Sequence, residues 1–190
     1  MSMSNSPIPF QSPITGVTIR KAVPDDAARL VAYVGELVHE PENGMLQTPA
    51  ELRNEDQERQ RIEEYNNLQN ALIIVAIRTS AANEDEIVGM ASYHGGRFLA
   101  NQHSAMLGIS IHRDFRNRGL GTAMMQVLID YARSSGVIKR LDLGVFAYND
   151  RAFHVYQKLG FQLEGTQRSA FFLDGQYVDC HMMSLLFFEE

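Results

Sequence analysis

The hydrophobic pattern of this chain changes period near Asp114, and that change limits the folds open to it. Upstream, three apolar runs follow in close succession: Ala71 to Arg78, Ile87 to His94 and Ser104 to His112. Each has strand length, with a polar turn at Asn83 to Glu86 and a Gly95-Gly96 link between them. Strands connected in this consecutive way pair antiparallel. Downstream, Leu120, Ala123, Met124, Val127, Leu128 and Tyr131 recur at helical spacing until Gly136 stops them. Leu141 to Phe146 then reads as a strand again, which makes the helix a crossover in the middle of the chain.

The flanking segments fit the same plan. Val17 to Val23 reads as a first strand, and Pro24-Asp25-Asp26 as a helix start with acidic groups at the positive end of the dipole. Ala27, Leu30, Val31, Val34 and Leu37 give that helix an apolar face, and Pro41 to Gly44 breaks it. Thr48-Pro49 opens a second helical stretch to about Asn67, crowded with acidic residues and arginines. It reads as a solvated face laced with ion pairs, with a mobile substrate-facing cover as the alternative. Asn149 to Leu159 is a helix ended by Gly160, and Phe161 to Leu173 and Tyr177 to Leu186 flank a hairpin turn at Asp174-Gly175. The expectation is an α/β (α+β) chain with an antiparallel first half. Residues 1–15 are expected as a flexible tail and residues 16–190 as a single domain.

Composition narrows the function classes. With 190 residues, 45% hydrophobic and 21% charged, the chain suits one globular core. No apolar run approaches the ~18 residues that cross a bilayer, and residues 1–15 lack the pattern of a secretory signal. A net charge of −6 argues against gripping nucleic-acid phosphates. The single cysteine, Cys180, forms no internal disulfide and fits a reducing cytoplasm. The six histidines lack metal-ligand spacing, so no metal is expected. The apolar end Leu185-Leu186-Phe187-Phe188 reads as core or as a homodimer surface.

The chemistry concentrates where the period changes. Ile109-Ser110-Ile111 ends a strand, and Arg116-Asn117-Arg118-Gly119-Leu120-Gly121-Thr122 leads into the helix. Glycines let a ligand approach the backbone, and the first N–H groups of a helix have no intrahelical acceptors. With the helix dipole and Arg113, Arg116 and Arg118 nearby, this is an anion site suited to phosphate or pyrophosphate. The full dinucleotide-binding and P-loop patterns are absent. Downstream, Asn149-Asp150-Arg151-Ala152 and Tyr156-Gln157-Lys158-Leu159-Gly160-Phe161 form a second constellation. Taken alone, Asn149 reads as a helix N-cap and Tyr156 as a buried aromatic.

Together these motifs, in this order and on these elements, resemble the GNAT acyltransferase superfamily, which transfers acyl groups from acyl-CoA to amines. The likeness runs from about Val17 to Leu186. It implies a central mixed sheet of six to seven strands, helices on both faces and two splayed central strands. By resemblance, the backbone from Arg116 to Thr122 binds the pyrophosphate of acetyl-CoA. Ile109, Ser110 and Ile111 offer backbone groups to the pantetheine arm and the acetyl carbonyl, Asn149 bonds the arm, and Tyr156 faces the sulfur. The implied reaction is direct amine attack in a ternary complex, with Tyr156 protonating the leaving thiolate.

Many relatives carry a Glu around the position of Met106, and Met106 cannot accept a proton. His94, His103, His112, Glu36 and Glu40 are the alternatives, and a water chain would serve an α-amino group. The expected acceptor is a small-molecule amine; a peptide N-terminus, a protein lysine, or a non-catalytic acyl-CoA sensor are the other readings. The acidic balance and the Glu-rich second helix lean toward a cationic acceptor. Specificity is expected from the first two helices, their connection at Pro41 to Thr48, and the final hairpin.

Overall fold

The computed structural model describes residues 10–40, 49–79 and 85–188. The expected helix break at Pro41 to Gly44, the Pro41–Thr48 connection, residues 1–9 of the expected tail, and Asn83 with Glu84 of the expected turn lie outside the described residues.

A mixed sheet runs through the molecule in the order β1-β2-β3-β4-β5-β6-β8-β7. Its seven full strands are β2 (Val17–Lys21), β3 (Ala71–Thr79), β4 (Asp85–Gly95), β5 (Ser104–Ile111), β6 (Arg140–Phe146), β7 (Gln162–Leu173) and β8 (Gln176–Leu186). An eighth, β1 (Phe10–Gln11), adds two residues to the edge, with Phe10 opposite Ile19. Here the structure departs from the expected tail. Phe10 meets Tyr131 edge-on at 5.6 Å, and Ile14 is buried in the core. Two isolated apolar side chains among Ser and Pro give no periodic signal, yet each finds a place to bury.

Pairing is antiparallel from β1 to β5, parallel between β5 and β6, and antiparallel again through β8 and β7. The parallel step is the one that needs a crossover, supplied by α3 (Leu120–Ser134). The last hairpin turns at Asp174 and Gly175, with φ of +49° and +79°; two left-handed residues match the right-handed twist of the strands.

Helices cover both faces. On one, α3 buries Leu120, Met124, Val127, Leu128 and Ile129 against Leu72, Ile74, Val88, Leu107 and Leu141. The shorter α4 (Asp150–Lys158) lays Phe153 and Tyr156 on the same core. On the other face, α1 (Ala27–Leu37) and α2 (Glu55–Asn67) bury Leu30, Tyr33, Leu37 and Ile62 against Ile73, Val75 and Ile87.

Ion pairs lace the first half of α2, in line with the first of the two sequence readings. Arg59 bonds Glu55 and Asp25, Arg61 bonds Glu58 at 2.8 Å, and Arg53 stands 3.8 Å from Glu58. Asp26, fully buried at the start of α1, accepts from Arg20 and Arg29 and from the N–H of Val23. Burial alone would raise its carboxyl, but these three hydrogen-bonding partners outweigh burial and hold it below its ordinary value.

Candidate active site

The site begins where two neighbouring strands part. β5 and β6 pair only from Ser104 opposite Arg140 to Met106 opposite Asp142, and beyond that they diverge. A polar network pins the closed end. Ser104 donates to Asp142, Arg140 donates to Asp142 and to Glu164 on β7, and Ser184 on β8 donates to Glu164. One guanidinium and two carboxylates therefore tie β6 to β7, and the serines bring in β5 and β8. At the open end lies a cavity of ≈ 300 Å³. Ile109, Ser110 and Ile111 form one wall, Phe146, Tyr148 and Asn149 the other, and the starts of α3 and α4 close the sides.

The loop between β5 and α3 is held down by its one buried aromatic. Phe115 is 6% exposed, in a 3-10 turn over Arg113–Phe115, and the guanidiniums of Arg78 and Arg118 each lie 5.6 Å from its ring centre. The chain then passes through Asn117 (φ +66°) and Gly119 (φ +82°), which is the N-cap of α3. This left-handed entry leads into the first turn of α3, whose early N–H groups have no intrahelical acceptors, and Gly119, Gly121 and Thr122 line the cavity. A Cβ on Gly121 would meet only Ile111 at 3.7 Å, so the glycine there leaves room on the ligand side.

The expected site residues divide. Ile109, Ser110, Ile111, Arg116, Asn117, Gly119, Gly121, Thr122, Asn149 and Tyr156 all line the cavity; Arg118 and Leu120 do not. Leu120 is fully buried, so only its backbone is available, and Arg118 is stacked on Phe115. The charge expected from the arginines is also redistributed. Arg113 projects into solvent, and Arg116 donates to the Ile111 carbonyl at 2.8 Å and to Glu40 at 2.6 Å.

Asn149 caps α4, its side-chain oxygen accepting from the Ala152 N–H at 3.1 Å, which leaves the amide nitrogen as a donor beside the cavity. Tyr156 stands edge-on to Phe161, and burial holds its phenol above the ordinary value near 10.

None of the base candidates His94, His103, His112, Glu36 and Glu40 lines the cavity. His94 packs on Tyr65, His112 accepts from the Asp114 N–H, and Met106 is half exposed on β5. Residues outside the expected set complete the site. Phe146 stacks on Tyr148 at 5.3 Å and meets Phe171 of β7 edge-on, forming an aromatic wall, and Arg151 adds a cation. Buried Tyr33 on α1 donates to the Ser110 hydroxyl at 3.1 Å. Cys180 is buried, and burial raises its thiol, which leaves it a poor nucleophile.

Known proteins are similar to this chain in sequence and in fold. Residues 41–161 match the sequence model of the Acetyltransferase (GNAT) family. An L-amino acid N-acetyltransferase of Escherichia coli is 31% identical over 104 residues, covering 55% of this chain and 64% of that protein. A spermidine N(1)-acetyltransferase of the same species is 36% identical over 69 residues, covering 36% of this chain and 37% of its own length. The chain thus spans from about a third to just under two thirds of these curated relatives. Among solved structures, a GNAT-family acetyltransferase of Streptococcus pneumoniae superposes with a TM-score of 0.82 at 27% identity, covering 90% of this chain and 98% of that one. A putative acetyltransferase of Salmonella typhimurium, solved with its cofactor acetyl-CoA, gives 0.79 at 20% identity over 93% and 96% of the two chains. The open mixed sheet with helices on both faces is the fold of that family.

Proposed function

This chain belongs to the GNAT acetyltransferase family, and from that premise we propose that it moves an acetyl group from acetyl-CoA to the primary amine of a small molecule. One observation carries the reading: the gap between β5 and β6 opens directly onto the start of α3, so a channel for an extended arm meets an anion site. The cavity fits the cosubstrate on this structure's own terms. The unbonded amides around Gly119 to Thr122 would take the pyrophosphate, and the exposed edge of Ile109–Ile111 with the Asn149 amide would take the arm. When bound, acetyl-CoA supplies an activated acetyl carbonyl.

The residues supply the rest. Backbone N–H groups at the β5 edge offer a donor where negative charge develops, worth ~2.7–4 kcal/mol in comparable sites. A phenol, ordinarily near 10 and raised further here by desolvation, carries its proton at neutral pH, so Tyr156 is in the acid form when a thiolate must be protonated. Among the described residues, the cavity lining contains no Asp, Glu or His. That favours an acceptor whose amine is already partly unprotonated near neutral pH, such as an α-amino group with a pKa of ~7.7–8.0. Of the acidic residues of α2 that suggested a cationic acceptor, Glu55 and Glu58 are paired with arginines, which weakens that lean without removing it. Buried Cys180 fits the reducing cytoplasm in which the enzyme is proposed to act. A homodimer belongs to the same reading: β7 is an edge strand exposed along residues 162–169, and sedimentation would detect the pairing.

Thiol release from acetyl-CoA across L-amino acids, spermidine and peptide N-termini tests the proposal. Turnover with free α-amines is the expected result. Turnover with peptides alone would replace the acceptor class, and CoA binding without turnover on any amine would favour a sensor.

A further inference from the structure

The sequence marks Arg116 as a positive group beside the anion site, but its guanidinium is already bound elsewhere. Its Nε donates to the Ile111 carbonyl at 2.8 Å, and its Nη2 donates to Glu40 Oε2 at 2.6 Å. Ile111 is the last residue of β5, and β6 pairs with β5 only as far as Met106. At Ile111 no neighbouring strand covers that edge, so Arg116 satisfies a carbonyl that the splay leaves without a partner. Glu40 follows α1, and its side chain is 9% exposed. A carboxylate buried that far needs a charged partner, and among the described residues Arg116 supplies it. One strand position earlier, Tyr33 of α1 donates to Ser110. The α1 segment is therefore tied to two successive residues of the cavity wall, once directly and once through Arg116.

We infer that Arg116 and Glu40 form a positioning pair that holds the α1 segment, and with it the acceptor side of the site, in register with the cofactor wall, and that Arg116 is not a ligand of the phosphates. The inference rests on the acetyltransferase reading above. It follows from the shape of the group: two of the five N–H donors of a planar fork go to a carbonyl and a carboxylate, which fixes the plane of the guanidinium, and its charge is matched by Glu40. The phosphates are then left to the backbone amides of α3.

Two conservative variants separate the roles. Arg116→Lys keeps the positive charge a phosphate would feel but loses the fork, and Glu40→Gln keeps the shape and removes the carboxylate. CoA affinity is measured by calorimetry, and steady-state constants are measured with the L-amino acid that turns over fastest. A positioning pair predicts that each variant raises the KM for the amine or lowers kcat about tenfold, and that the double variant is no worse than either alone. The Kd for CoA stays within about twofold of wild type in all three.

Tenfold weaker CoA binding in an Arg116→Gln variant, with Glu40→Gln unaffected, would make Arg116 a phosphate ligand and overturn the inference. Additive effects of the two substitutions, or none from either, would overturn it as well. Wild-type protein that binds no CoA would instead remove the acetyltransferase reading, so the two failures are distinguishable. Thermal unfolding of each variant identifies any that are merely misfolded, and hydrogen exchange in α1 reports the loosened tether when an unfolded variant has to be replaced by Arg116→Gln.

Discussion

Tyr156 and Gly119 carry the sharpest consequences at the scale of the residue. If the Tyr156 phenol delivers the proton, Tyr156→Phe lowers kcat about a hundredfold while the Kd for acetyl-CoA, from titration calorimetry, stays put. Burial raises that phenol, so its acid form persists beyond the ordinary value near 10. With an α-amine acceptor, kcat/KM then rises with pH to a plateau above about 8 and does not fall again below about 10. A descending limb between those values, in a profile corrected for stability, would assign an acid other than Tyr156. Gly119 is a test of backbone alone. A Cβ there meets Pro13 at 3.5 Å, an ordinary contact, so the penalty of Gly119→Ala comes from φ of +82°. Urea unfolding should show a loss of about 1–2 kcal/mol.

The scale of the element explains which parts of the site were readable. Helix α3 and strands β3 to β5 were legible because burial of one face imposes a period on neighbouring residues, and a period survives in a single sequence. The strand end, glycine loop and helix start proposed as the anion site were legible for a related reason, since they are contiguous. The ties across elements were not. Tyr33 and Ser110 are 77 positions apart and Arg116 and Glu40 are 76 apart, and each residue alone looks like an ordinary core or surface residue. The stacking of Arg118 on Phe115 was not legible either, because the sequence does not show that Phe115 is buried.

Asp26 makes an element-scale prediction. Its carboxyl is depressed in the folded state, so its contribution is complete above the unfolded carboxylate value near ~3.9 and is lost as pH falls through the lower folded value. Asp26→Asn, which leaves Arg20 and Arg29 without their shared carboxylate, should cost about 3 kcal/mol at neutral pH. It should also flatten the acid limb of stability below about pH 4, read by denaturant midpoints across pH.

The whole molecule joins two cores through one sheet. Each helical layer packs on one face of the sheet: α3 carries the proposed anion site, and α1 is tied to the wall at Ser110. The network at Arg140 closes the far end, so the gap widens in one direction only. The central claim is that coenzyme A enters that gap with its pyrophosphate on the amides that open α3. Titrating isotope-labelled protein with CoA and following backbone amide resonances tests it directly. The account predicts the largest shifts at Gly119, Gly121 and Thr122, with a second group at Ile109 to Ile111 and Asn149. Shifts confined to other surfaces, or saturating CoA that leaves these amides unmoved, would contradict it.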